Sequence, residues 1–227
     1  MITAHIFDLD GTLIDSMEVW KQIDKGFLFK RGISLPNDYH EYAKVTTPLS
    51  PAESAAYAID FFGLTDTVES ILKEVNSMAE GLYRSVPLKP YAIEFLKSLK
   101  EKGAKMAVAT SSPKNLCMSA LKSNGIEDVF DSICLSEEVG FGKYRPDVFL
   151  DAAQKLGADP KDCIVYEDSL VAIQTAKKIG MTVCAVYDKA SDKDWGETKQ
   201  AADCFITNWG SLLNSRKVAF TFINKVQ

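Results

Sequence analysis

The stretch CIVYEDSLVAIQTAKKIGMTVCAV at residues 163–186 reads as a complete strand, helix, strand unit. Cys163-Ile164-Val165-Tyr166 is short, β-rich and almost free of polar positions, as in a strand covered on both faces. Helical spacing takes over across 169–179, Gly180 supplies the stop, and residues 182–186 are apolar again. The same alternation reaches back to about residue 86, with a helix at 90–102, strand 105–109, helix 113–124, strand 132–135 and helix 146–156. A weaker last strand is expected at 203–206. Gly103, Gly125 and Gly157 fall where helices should end, and Pro113 and Pro146 where helices should begin. The predicted fold class is therefore α/β, a Rossmann-like doubly wound parallel sheet.

Between Ser16 and Ser85 the pattern changes. Helical periodicity (Val19, Trp20, Ile23, Phe27; Ala58, Ile59, Phe62; Val68, Ile71, Leu72, Val75) runs on without a convincing strand. The N-terminal strand then belongs to the same sheet as the later ones, and an α-helical cap is inserted directly after it. The expected division is a catalytic core of residues 1–15 and 86–227 and a helical cap of residues 16–85. The tail from Arg216 to Gln227 carries no clear signal.

The chain has 227 residues, 46% of them hydrophobic, enough to bury a substantial core. A net charge of -5 leaves no excess cation for a nucleic-acid backbone, so no nucleic-acid partner is expected. No apolar run approaches the ~20 residues of a membrane span, and no targeting segment precedes the first strand, so no membrane association and a cytoplasmic location are expected. The five cysteines are odd in number and widely spaced, and His5 and His40 are isolated. Neither a disulfide framework nor a zinc site is suggested, and a metal would need oxygen ligands.

Ligands of an open parallel sheet bind beyond the carboxyl ends of its strands. The first strand delivers Asp8 and Asp10 there, the strand at 105–109 delivers Thr110, Ser111 and Ser112, and the strand at 163–166 delivers Glu167, Asp168 and Ser169. Lys143 lies in the loop between the latter two. Gly11 lets the chain turn so that both N-terminal acids reach one pocket. Four carboxyl groups gathered there would repel unless a hard divalent cation shared them, which implies Mg2+. Lys143, the Thr110 hydroxyl and backbone amides at helix starts would draw an anionic substrate to the same place. That balance suits phosphoryl transfer, in which one carboxylate attacks phosphorus and another protonates the leaving oxygen.

DLDGT at 8–12, VATSS at 108–112, the lysine of GKYRPD at 142–147 and EDS at 167–169 resemble, in order, the four motifs of the haloacid dehalogenase superfamily. The helical insert resembles the cap of its phosphoglycolate phosphatase and β-phosphoglucomutase branch. The resemblance implies Asp8 as nucleophile and metal ligand, and Asp10 as general acid/base that also gives a backbone carbonyl to the metal. It implies Thr110, Ser111 and Lys143 as the phosphate-binding residues, with Asp168 and Glu167 completing the metal site. An aspartate at position 10 favours phosphate esters over carbon–halogen or carbon–phosphorus bonds. The expected function is a magnesium-dependent phosphatase acting through an aspartyl phosphate on a small phosphorylated metabolite, a sugar phosphate or nucleotide, as a monomer or weak homo-oligomer.

Two rivals are weighed against it. A phosphosugar mutase of the β-phosphoglucomutase kind must hold a second phosphate, and the arginine-glycine pair carried by such caps is absent near Val45-Thr46-Thr47-Pro48. A regulatory phosphoacceptor domain shares an aspartate, a magnesium site and a lysine, but resembles a compact fold without a helical cap. Lys21, Lys25, Arg31 and Lys44, four of the basic residues in the insert, are expected to face solvent.

Overall fold

The computed structural model describes residues 2–213, so the expectation for the tail lies outside the described residues. Strand β1 (Ala4–Phe7) leads directly into four helices, α1 (Met17–Phe29), α2 (Tyr39–Thr46), α3 (Pro51–Phe62) and α4 (Val68–Tyr83). The chain then alternates through α5 (Ala92–Glu101), β2 (Lys105–Thr110), α6 (Lys114–Ser123), β3 (Ser132–Leu135), the one-turn α7 (Ser136–Val139), α8 (Asp147–Leu156), β4 (Cys163–Glu167), α9 (Leu170–Lys178) and β5 (Thr182–Val186). It closes with α10 (Trp195–Ala201), β6 (Cys204–Ile206) and α11 (Gly210–Leu213).

All six strands form one sheet in the order β3-β2-β1-β4-β5-β6, and every neighbouring pair is parallel. The order reverses at β1, which pairs with β2 on one side and β4 on the other. This is the doubly wound arrangement expected from the sequence, and the crevice beyond the carboxyl end of β1 is the switch point where such sheets take ligands.

Alternating strand residues feed two separate cores. Phe7, Val108, Ile164 and Tyr166 pack with Phe95, Leu96, Leu116 and Trp209 on one face. Ile6, Ala107, Val165 and Val183 pack with Val148, Phe149, Ile173 and Ala176 on the other. Phe7 and Tyr166 stack with centroids 4.6 Å apart, tying β1 to β4 just below the switch point. Apolar burial at about 25 cal/mol per Å2 makes these two layers the main source of stability.

The helices of the insert have their own small core of Phe27, Leu28, Ala55 and Ile71. α3 starts with a capping box in which the Ser50 hydroxyl accepts from Glu53 N and the Glu53 carboxylate accepts from Ser50 N, and Thr67 and Ser70 do the same for α4. The entering and leaving chains meet in a short stalk, where Ile14 bridges Leu88 antiparallel, Asp15 N donates to Pro87 O and Lys89 N donates to Leu13 O. Against the core, Lys44 and His40 on α2 pair with Asp194 at 2.8 and 3.0 Å.

Candidate active site

Asp8 stands one residue past β1, where its amide still donates to Tyr166 O at 3.0 Å. Its carboxylate forms a close ion pair with the Lys143 ammonium, which also donates to Glu167 Oε1 at 2.7 Å. Lys143 is 3% exposed and Asp8 5%. Burial alone would discharge both groups. For Lys143 burial pulls the pKa down, but Asp8 and Glu167 override it and hold the ammonium charged. For Asp8 burial raises the carboxyl to about 7, against the pull of Lys143 and with the push of Glu167 and Asp10.

Asp8, Glu167 and Asp168 offer carboxylate oxygens that all lie within 4.8 Å of one another. Asp168 is 3% exposed, and its carboxyl is raised well above the ordinary range by burial, then by Glu167 and Asp8. Lys143 thus pairs with two of three clustered buried carboxylates, Asp8 and Glu167. Such a set leaves negative charge uncompensated and fits a hard divalent cation with oxygen ligands. Gly11 is what allows the approach: at φ +76° it turns the chain, and a Cβ there would lie 2.5 Å from Asp168 Oδ2. Thr12, in the same turn, donates to Asp168 Oδ1 at 3.3 Å.

Of the four carboxyls expected in one pocket, Asp8, Glu167 and Asp168 form this close group. Asp10 lines the same cavity, but its carboxylate is engaged elsewhere. Ser112 Oγ donates to one oxygen at 2.7 Å; Ser16 Oγ at 2.6 Å, Trp20 Nε1 at 3.2 Å and the Tyr83 hydroxyl donate to the other. Four donors from the turn after β2 and from α1 and α4 therefore surround it. Trp20 falls on the helical periodicity of the insert, and nothing in that spacing marks it as a donor to Asp10; Tyr83 carries no sequence signal either.

Thr110 Oγ1 accepts from Ser112 N at 2.9 Å, which leaves its own proton unused by any described residue. Ser111 Oγ meets Ser136 Oγ at 3.1 Å at the start of α7. Thr110, Ser111, Lys143, Glu167 and Asp168 all line one cavity of about 920 Å3 with Asp8 and Asp10. The far walls of that cavity come from α1 through α4, including Trp20, Asp24, Tyr39 and Asn76.

Lys143 is held in place from the insert. Its amide donates to Pro48 O at 2.6 Å, Gly142 N donates to Glu53 Oε2 at 3.0 Å, and the Tyr144 hydroxyl donates to Glu53 Oε1 at 2.6 Å. Only glycine fits at 142, since a Cβ there would lie 2.2 Å from Pro48 O. Of Lys21, Lys25, Arg31 and Lys44, Lys21 lines the cavity, against expectation. Arg31 is taken by Asp66 and Glu74 and Lys44 by Asp194.

Comparison with known proteins places this geometry. Residues 5–186 match the haloacid dehalogenase-like hydrolase family. The bifunctional riboflavin kinase/FMN phosphatase of Arabidopsis thaliana is 32% identical over 80% of this chain, which spans about half (47%) of that longer protein. Hexitol phosphatase B of Escherichia coli (strain K12) is 28% identical over 85% of this chain and 87% of its own length. A β-phosphoglucomutase from Clostridium difficile superposes with a TM-score of 0.79 over 92% of both chains at 23% identity, a likeness of fold alone. The chain belongs to the haloacid dehalogenase-like hydrolase family.

Proposed function

We propose that the chain is a magnesium-dependent phosphatase that transfers the phosphoryl group of a small phosphorylated metabolite, a sugar phosphate or nucleotide, to Asp8 and then to water. The observation that carries this reading is the meeting of Asp8, Lys143, Glu167 and Asp168 at one end of the cavity that also holds Asp10.

Lys143, the Thr110 hydroxyl and Ser111 hold the phosphoryl oxygens, and binding draws Lys143 from Asp8 toward the incoming anion. The freed Asp8 carboxylate attacks phosphorus as the bond to the ester oxygen breaks. Asp10, already surrounded by donors that orient it, gives that oxygen a proton and in the second half takes one from the attacking water. Asp8, Glu167, Asp168 and the Asp10 carbonyl would hold Mg2+, which neutralises the clustered carboxylates and draws charge from a phosphoryl oxygen. Residues 16–85 act as a cap over a core of residues 1–15 and 86–227, excluding bulk water. Five unpaired buried thiols suit the reducing cytoplasm.

Water is favoured over a sugar hydroxyl as acceptor because the arginine-glycine pair of mutase caps is absent near Val45-Thr46-Thr47-Pro48, and the cations lining the cavity among the described residues are lysines (Lys21, Lys143, Lys189 and Lys193), none of them arginine. The test is release of inorganic phosphate from an aryl phosphate. Turnover is expected only with Mg2+ and is lost by a factor of roughly 10^3 or more in Asp8→Asn. Normal turnover by that variant would sink the mechanism.

A further inference from the structure

Asp188 is a buried carboxylate at the edge of the site that the phosphoryl chemistry leaves unused. It stands two residues past β5, which pairs with β4 so that Ala185 lies opposite Glu167. The chain leaving β5 therefore runs beside the acids that β4 delivers. Asp188 is 5% exposed and lines the same cavity as Asp168.

Its partner is Lys89, from the stalk. The Lys89 ammonium meets Asp188 Oδ2 at 2.7 Å and donates to Tyr187 O at 2.9 Å, while Asp188 Oδ1 accepts from Ala190 N at 2.7 Å. The Lys89 amide donates to Leu13 O, which anchors this lysine to the turn that follows Asp10.

A buried ion pair returns little stability, since the cost of desolvating two charges offsets most of their attraction, and neutral side chains of similar size would serve packing equally well. What charges add is action at a distance. Asp188 pushes the Asp168 carboxyl up and Lys89 pulls it down. A cation beside Asp168 feels the same two charges with the opposite sign, attracted by Asp188 and repelled by Lys89. Asp188 is not one of the three acids whose oxygens lie within 4.8 Å of one another, so it acts from outside that group.

We propose that Lys89 and Asp188 are positioning residues that set the cation affinity of the site from behind its ligands: Asp188 strengthens binding, Lys89 weakens it, and their pairing balances the two. This rests on the reading of Asp8, Glu167 and Asp168 as the Mg2+ site. Because Lys89 belongs to the stalk, the segment that joins insert to core supplies half of the balance.

The experiment compares wild type, Lys89→Met, Lys89→Arg, Asp188→Asn and the Lys89→Met/Asp188→Asn double variant, without substrate, at a pH well above the carboxylate range. The Mg2+ dissociation constant is read from the metal-induced rise in melting temperature over a concentration series. Lys89→Met leaves Asp188 unpaired and is expected to bind Mg2+ about threefold or more tightly than wild type, although its metal-free melting temperature falls. Asp188→Asn leaves Lys89 unpaired and is expected to bind about threefold or more weakly. The double variant and Lys89→Arg, in which the two charges again cancel, are expected within about twofold of wild type. A pair that merely braced the chain after β5 would weaken binding in both single variants, with no repair in the double one. Shifts of the same sign, or none, would therefore overturn the assignment. A wild type whose melting temperature does not rise with Mg2+ would instead overturn the cation-site reading beneath it. If Lys89→Met does not fold, Lys89→Gln carries the same comparison.

Discussion

Asp8 and Asp168 show how a site can be assembled at the expense of local stability. Burial and the neighbouring Glu167 push both carboxyls up, and only Asp8 is paired with Lys143, a placement that makes sense only with a counter-charge supplied from outside. Asp168→Asn removes one of those charges. Its melting temperature without metal is expected to equal or exceed that of wild type, while the rise on adding millimolar Mg2+ disappears and phosphate release falls by roughly 10^2 or more. A metal-induced rise that persists would contradict the ligand assignment. Asp8, Lys143, Glu167 and Asp168 were legible in the sequence because parallel strands deliver residues to one edge in a known direction. The clamp on Asp10 was hidden, because its donors come from positions 16, 20, 83 and 112 and meet only after folding.

The loop at 142–144 and the start of α3 work as a pair. Glu53 closes the capping box of its own helix and, with the same carboxylate, holds Gly142 and Tyr144 on either side of Lys143. The insert thereby sets the position of a residue the core needs. Glu53→Gln and Tyr144→Phe each weaken about one hydrogen bond, about 1 kcal/mol, and are expected to lower kcat/KM roughly fivefold with a small change in melting temperature. Gly142→Ala should do more, since the added methyl must displace Pro48 and Leu49 backbone. Unchanged kinetics in all three would show that the insert does not govern Lys143. The strands and main helices of the core were readable from periodicity with ends off by a residue or two; α5, expected at 90–102, spans Ala92–Glu101. The short α7, α10 and α11 were not read, because four to seven residues are too few to establish a helical period. Pro113 and Pro146 precede the first helical turn rather than opening it, which is where a residue without an amide proton costs least.

At the scale of the whole molecule, one parallel sheet buries two cores and leaves its chemistry at the switch point. The same burial reaches His5 in the first strand, whose imidazole meets the Tyr166 hydroxyl at 3.1 Å. Burial, helped by Lys102, lowers its pKa from the ordinary 6.5 to about 4. Between those values the unfolded chain takes up a proton that the folded one refuses. His5 therefore leaves stability intact above about pH 6.5, erodes it as the pH falls, and exerts its full cost below about pH 4. The urea midpoint of wild type is expected to drop more steeply from pH 6.5 to 5 than that of His5→Gln; parallel curves would contradict the assignment. The strand order itself required the structure, since the sequence placed the first strand in the sheet without saying that it lies between β2 and β4.

All of these readings meet in one covalent claim, that the phosphoryl group rests on Asp8 between its two transfers. The direct measurement is borohydride trapping of a turnover mixture with Mg2+, followed by peptide mapping, since reduction converts an aspartyl phosphate to homoserine. The account predicts homoserine at position 8 during turnover and none without substrate. Homoserine at any other aspartate, or full turnover with position 8 unaltered, would contradict it.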